Sequence, residues 1–174
     1  KRTGAVLIER EDQIQKLLDI TLQKNCTPSR KYVGRNAAVI LRDAGIEVDG
    51  DPRLIIMKTD KHHPFATIEM LMPILPIVTV ENFEDGLATC LFLEAGLHHT
   101  ATMHSLNLER LNKMARAMKT SIFVKNGPSY AGLGYNGEGT TTFTIATPTG
   151  EATTSARHFA RRRRCCLTTG FQIR

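Results

Sequence analysis

Three histidines stand within seven positions, at His98, His99 and His104. Imidazoles at such spacing can ligate a metal, move a proton near neutral pH, or serve as ordinary hydrogen-bonded strand residues. In a strand over residues 99–104, the two-residue period puts His98 and His104 on one face and His99 on the other. No carboxylate or thiolate lies nearby in the stretch to complete a metal set, so no metal site is expected. A proton-transfer role for one histidine at the end of a parallel sheet stays open beside the structural role.

A second suspicious group is Glu69, inside the apolar run Ile68-Glu69-Met70-Leu71-Met72-Pro73-Ile74-Leu75-Pro76. A carboxylate there is costly to bury unless it is hydrogen-bonded or faces a polar cavity. The other reading is a surface glutamate where a loop enters a strand. Gly132-Leu133-Gly134-Tyr135-Asn136-Gly137 matches G-x-G-x-x-G letter for letter. The dinucleotide mechanism requires a helix directly after the glycines, so that its N-terminus receives the pyrophosphate. Here Thr140-Thr141-Thr142-Phe143-Thr144-Ile145 follows, which reads as strand. The glycines are therefore expected to form a mobile or tightly turning loop near a site.

The elements that must position these residues are legible in outline. Ala5 to Ile8 is a short apolar run, and Gln13 to Leu22 places Ile14, Leu17, Leu18 and Thr21 on one helical face. Asn36 to Ala44 reads as a helix closed by Gly45, and Arg53 to Thr59 as a buried strand. His62-His63-Pro64-Phe65 is a loop. Ile74 to Val80 is the next strand, kept from a central place by Pro73 and Pro76. Asn82 caps a helix through Ala95, His99 to His104 is a strand, Leu108 to Met118 is a helix capped by Ser105 or Asn107, and Ser121 to Lys125 is a further strand. From Arg53 onward strand and helix alternate with short connections. That order implies an α/β fold with a parallel, doubly wound sheet, followed by a C-terminal β extension around Thr140–Thr147.

The chain has 174 residues, a net charge of +6 and four cysteines, Cys26, Cys90, Cys165 and Cys166. The cysteine spacing fits neither a disulfide framework nor zinc, and a reducing cytoplasm suits it. No apolar run reaches the roughly 18 residues of a membrane span. The surplus positive charge gathers in Arg161–Arg164, with no aromatic residues interleaved, so a solvated or subunit-facing surface is favoured over a phosphate-binding or nucleic-acid-binding patch. The sequence opens Lys1-Arg2-Thr3-Gly4, without Met or a leader, and reads as a piece of a longer chain.

Four stretches, DKHHPFATIEMLMPILPIV, LHHTATMHSLN, SIFVKNGPSYAGLGYNGEG and TTFTIATPTGEATTSARHF, resemble the C-terminal half of CoA-acylating aldehyde dehydrogenases. The similarity is greatest to the propanediol- and ethanolamine-utilisation type of bacterial microcompartments and runs from about Arg30 to Arg174. Lys1 to Ser29 matches only as a helix in the right place. The resemblance implies that residues 1–138 are part of the catalytic domain, with its mixed, mostly parallel doubly wound sheet, and 139–174 a strand and turn extension with oligomer contacts. It also implies that the NAD-binding domain and the nucleophilic cysteine lie upstream.

The implied reaction takes a short-chain aldehyde, CoA and NAD to acyl-CoA through a cysteine thioester. Glu69 falls at the glutamate that hydrogen-bonds the nicotinamide ribose, Leu71 where many relatives have a cofactor-packing Phe, and Pro73 at the proline after it. His99 matches a histidine implicated in handling the CoA thiol proton, leaving His98 and His104 structural. Ser129 and Thr140 replace a Cys and a Trp common in close relatives. The resemblance implies a homo-oligomer in the cytoplasm or inside a microcompartment, where shell or lumen proteins are partners through the upstream part. The alternative is a stand-alone, non-catalytic descendant that binds a nucleotide or assembles with partner subunits.

Overall fold

A computed structural model describes residues 4–137, 160–166 and 168. The predicted strand at Thr140–Thr147, most of the 139–174 extension and the Thr140 replacement lie outside the described residues. The chain divides into two units, Lys1–Leu93 and Glu94–Arg174.

The first unit is built on three parallel strands in the order β1 (Ala5–Ile8), β2 (Leu54–Lys58) and β3 (Ile74–Ile77). Val6 lies beside Ile55, and Met57 beside Pro76. Helix α1 (Glu11–Thr21) carries Glu11 and Asp12 in its first turn, where the helix dipole favours negative charge. It buries Ile14, Leu17 and Thr21 at the expected helical spacing. The Thr21 hydroxyl is satisfied by donating to the Leu17 carbonyl at 2.6 Å. Helix α2 (Ala37–Asp43) buries Ala37, Ile40 and Leu41. With Ile55 and Met57 of β2, which are fully buried, these side chains form one core.

Pro76 shows why β3 is an edge strand among the described residues. The Ile77 carbonyl accepts the Thr59 N–H at 3.0 Å, so Ile77 faces β2 and Pro76 faces away from it. The missing proline N–H therefore costs no ladder bond. The predicted strand through Val80 stops at Ile77. Helix α3 (Pro64–Thr67), a single turn not expected from sequence, interrupts the loop before β3, and helix α4 (Phe83–Glu94) follows it.

In the second unit β4 (Thr100–Met103) pairs in parallel with β5 (Ile122–Lys125), joined by helix α5 (Leu108–Met118). The Asn107 Oδ1 caps α5 by accepting the Arg110 N–H at 3.0 Å. Its inner face is Leu111, Met114 and Met118, while Leu108 is exposed. The α/β class and the parallel strands stand. No antiparallel pair of strands occurs among the described residues.

Candidate active site

The first site segment is the connection from α3 to β3. Pro64 fits the first helical position, where its lack of an N–H is harmless. His63 caps the turn, its Nδ1 accepting the Phe65 N–H at 3.2 Å. Asp60 accepts the His62 N–H at 2.8 Å, and that bond holds its carboxyl below the usual range. Phe65 and Met70 are buried and anchor the segment at both ends.

On either side of Met70 the chain turns outward. Glu69 is exposed and makes no hydrogen bond or ion pair among the described residues. Of the two sequence readings, the surface carboxylate is the one realised. Leu71 is 60% exposed at φ 55°. A branched residue in the left-handed region costs about 1–2 kcal/mol, and here three backbone bonds hold it. The Leu71 carbonyl accepts from Gly34 N–H at 3.1 Å, Met72 from Ile74 at 2.8 Å, and Pro73 from Ile55 at 2.9 Å. Leu71 and Pro73 line a cleft of about 570 Å³ together with Arg35, Asn36 and Arg53. The two arginines were not singled out from sequence. Only the register of β2 against β3 brings Arg53 to this loop, and no local pattern announces it.

His99 lies in the second unit, and its surroundings correct the sequence reading. The strand begins at Thr100, because His98 sits at φ 54° and cannot continue it backwards. The alternating faces expected for His98 and His99 therefore do not apply. Both are exposed. His99 is fixed through its backbone, its carbonyl accepting the Ile122 N–H at 3.2 Å. Its imidazole has no partner among the described residues and is exposed to solvent. His98 Nδ1 lies 3.7 Å from Glu94 Oε2.

The glycine-rich stretch forms a 3-10 helix (Ser129–Leu133) rather than the entry to an α-helix. A Cβ on Gly132 would stand 2.2 Å from Ile122 Cγ2, so this glycine permits close packing against β5. That is a packing reason for one glycine of the motif, and the segment after Gly137, on which the dinucleotide reading turns, lies outside the described residues. Cys26, Cys165 and Cys166 are exposed, and burial pushes the Cys90 thiol up, away from the reactive thiolate. Among the described residues no group of three His, Cys, Asp or Glu is arranged for a metal ion. No helix there is long and apolar enough to cross a membrane.

Comparison with known proteins bears directly on this arrangement. No family model matches the chain. It is 55% identical over 172 residues to propanal dehydrogenase (CoA-propanoylating) of Citrobacter freundii, covering 98% of this chain and 37% of that protein. It is 51% identical over 167 residues to acetaldehyde dehydrogenase (acetylating) EutE of Escherichia coli K12, covering 95% and 36%. Rhodopseudomonas palustris propionaldehyde dehydrogenase, solved with bound propionyl-CoA, superposes with a TM-score of 0.88 at 47% identity, covering 95% of this chain and 37% of that one. The chain belongs to the CoA-acylating aldehyde dehydrogenase family.

Two further structures share the TM-score of 0.88. One is a propionaldehyde dehydrogenase from a fucose-utilisation microcompartment of Clostridium phytofermentans, at 41% identity over 100% of this chain and 40% of that one. The other is an engineered glycolyl-CoA reductase with bound NADP⁺, at 46% identity over 95% and 38%. The chain spans little more than a third of the length of the curated relatives it matches. Their similarity also reaches into residues 1–29, since 98% of the chain aligns. The family likeness is therefore broader than the motifs from Arg30 onward indicated.

Proposed function

We propose that this chain is the C-terminal catalytic-domain portion of an enzyme that converts a short-chain aldehyde, CoA and NAD to acyl-CoA and NADH. The observation that carries this reading is 55% identity to a CoA-propanoylating propanal dehydrogenase over nearly the whole chain. The Glu69–Pro73 loop, which exposes Glu69 and Leu71 beside its cleft, fits the same role. On this reading residues 1–138 belong to the catalytic domain and residues 139–174 make subunit contacts in a homo-oligomer. The nucleophilic cysteine and the nucleotide domain come from the preceding part of the enzyme.

The residues present fit a nicotinamide nucleotide. Glu69 presents an unengaged acceptor for a ribose hydroxyl, and Leu71 presents an apolar side chain on a rigid turn. The nucleotide, when bound, supplies the hydride acceptor. Glu69 and Leu71 orient it, and Pro73 fixes the end of the loop. His99 takes the proton from the CoA thiol, and the resulting thiolate attacks the acyl-cysteine thioester and displaces the cysteine. The reading puts the enzyme in the cytoplasm or inside a microcompartment with lumen or shell partners, and the microcompartment origin of one structural neighbour supports the latter. The test is CoA-dependent NADH formation by the full-length enzyme with propionaldehyde and acetaldehyde. Activity with either supports the assignment, and no acyl-CoA from either overturns it.

A further inference from the structure

Helix α4 ends at Glu94, and the next four residues contain three in the left-handed region: Ala95 at φ 54°, Gly96 at 78° and His98 at 54°. Only Gly96 adopts that conformation without steric cost. Such a path unwinds unless something over-determines it.

One residue does so. The Glu94 carbonyl accepts the Leu97 N–H at 3.1 Å. Its carboxylate accepts the Gly96 N–H at 3.0 Å through Oε2 and the His98 N–H through Oε1. Three consecutive amide donors thus end on a single residue. The side chain is only 10% exposed, and it also faces His98 Nδ1 at 3.7 Å. Charge-assisted bonds to backbone N–H groups are the stronger kind.

The other side of the segment is stitched to the entry of β5. The His98 carbonyl accepts from Ser121 at 2.9 Å and the His99 carbonyl from Ile122 at 3.2 Å. His99 therefore leaves the backbone between two fixed points, while its own imidazole is unengaged.

We propose that Glu94 is a positioning residue for His99, holding the 95–98 loop so that the imidazole meets the CoA thiol. The proposal rests on the assignment of His99 to the CoA step, and the test separates the two. In the full-length enzyme, NADH formed without CoA reports cysteine acylation and hydride transfer. Turnover with CoA reports thiol deprotonation and acyl transfer.

Glu94→Ala is expected to keep the stoichiometric NADH burst and to lower kcat for CoA-dependent turnover by about 10- to 100-fold, the scale of a misplaced catalytic group. KM for NAD stays unchanged. Glu94→Gln keeps the size and one carbonyl acceptor, so a smaller loss of about threefold to tenfold is expected from a single weakened bond. His99→Ala is the reference. Wild-type CoA turnover in both Glu94 variants, with His99→Ala impaired, overturns the positioning role alone. Wild-type turnover in His99→Ala overturns the reading beneath it. Loss of the NADH burst in Glu94→Gln together with CoA turnover also overturns the proposal, because it marks a general structural role.

Discussion

At the scale of single residues, Glu69 and Leu71 are held by a loop that costs something to maintain. Replacing Glu69 by Gln removes a charged acceptor and is expected to raise KM for NAD in the full enzyme by about 10-fold or more, since a hydrogen bond to a charged group contributes about 1.5–3 kcal/mol. Steady-state kinetics in NAD checks this, and an unchanged KM removes Glu69 from the nucleotide site. Leu71→Gly relieves the left-handed strain while freeing the unfolded chain, so folding stability rises by less than about 1 kcal/mol. NAD binding weakens at the same time, because the apolar side chain is gone. Thermal unfolding and KM measured on one preparation show whether the strain and the function share this residue.

Asp43 gives a pH signature. The Lys31 ammonium, 3.0 Å away, holds its carboxyl below the usual range, with Arg42 and the Tyr32 hydroxyl adding to the effect. A depressed folded pKa stabilises the fold above the unfolded value of about 3.9 and is lost as pH falls through the folded value. Lys31 is shifted upward by Tyr32 and Asp43, so its contribution is present below its unfolded pKa and lost as pH rises through the folded one. Asp43→Asn is expected to flatten the stability curve at both ends, in acid and in strong alkali. An unchanged urea-unfolding curve from pH 3 to 5 contradicts the acid arm.

Elements whose ends are marked by side-chain chemistry were readable in the sequence. Helix α5 begins and ends where Asn107 and the Leu111, Met114 and Met118 spacing put it. Asn107→Ala is expected to destabilise the fold by about 1 kcal/mol in denaturant titration. Elements set by backbone conformation were not readable. The strand expected from His99 begins one residue late because Ala95 and His98 turn left-handed, which neither residue type announces. The clue was Glu94 itself, a carboxylate at a helix end just before Gly96, whose meaning depends on where the following N–H groups point. The glycine-rich stretch matched a pattern of letters, and packing against β5 decided its role. Gly132→Ala is expected to cost about 1–3 kcal/mol by overpacking. Ile122→Ala in the same chain recovers part of that loss, so the pair destabilises by less than the sum of the singles. Additive losses contradict the contact.

For the whole molecule, the family was legible from four long motifs, while the share of its relatives' length that the chain spans emerged from comparison. The isolated 174-residue chain is expected to form no NADH with aldehyde, CoA and NAD. Any CoA-dependent activity of the purified chain contradicts the placement of the nucleophile elsewhere. The three-stranded sheet also differs between its two rims. On β3 the outward N–H of Ile74 is spent on Met72, and Pro76 has none to give. On β1 the N–H groups of Ala5 and Leu7 face outward, because Gly4 faces β2 through its bond with Arg53. A sheet with one blocked rim can pair with another copy only at the open rim, so edge-to-edge association ends at a pair. Copies exposed by misfolding or truncation would join β1 to β1, and a proline at Leu7, which removes an outward N–H, is the substitution that would block the pair.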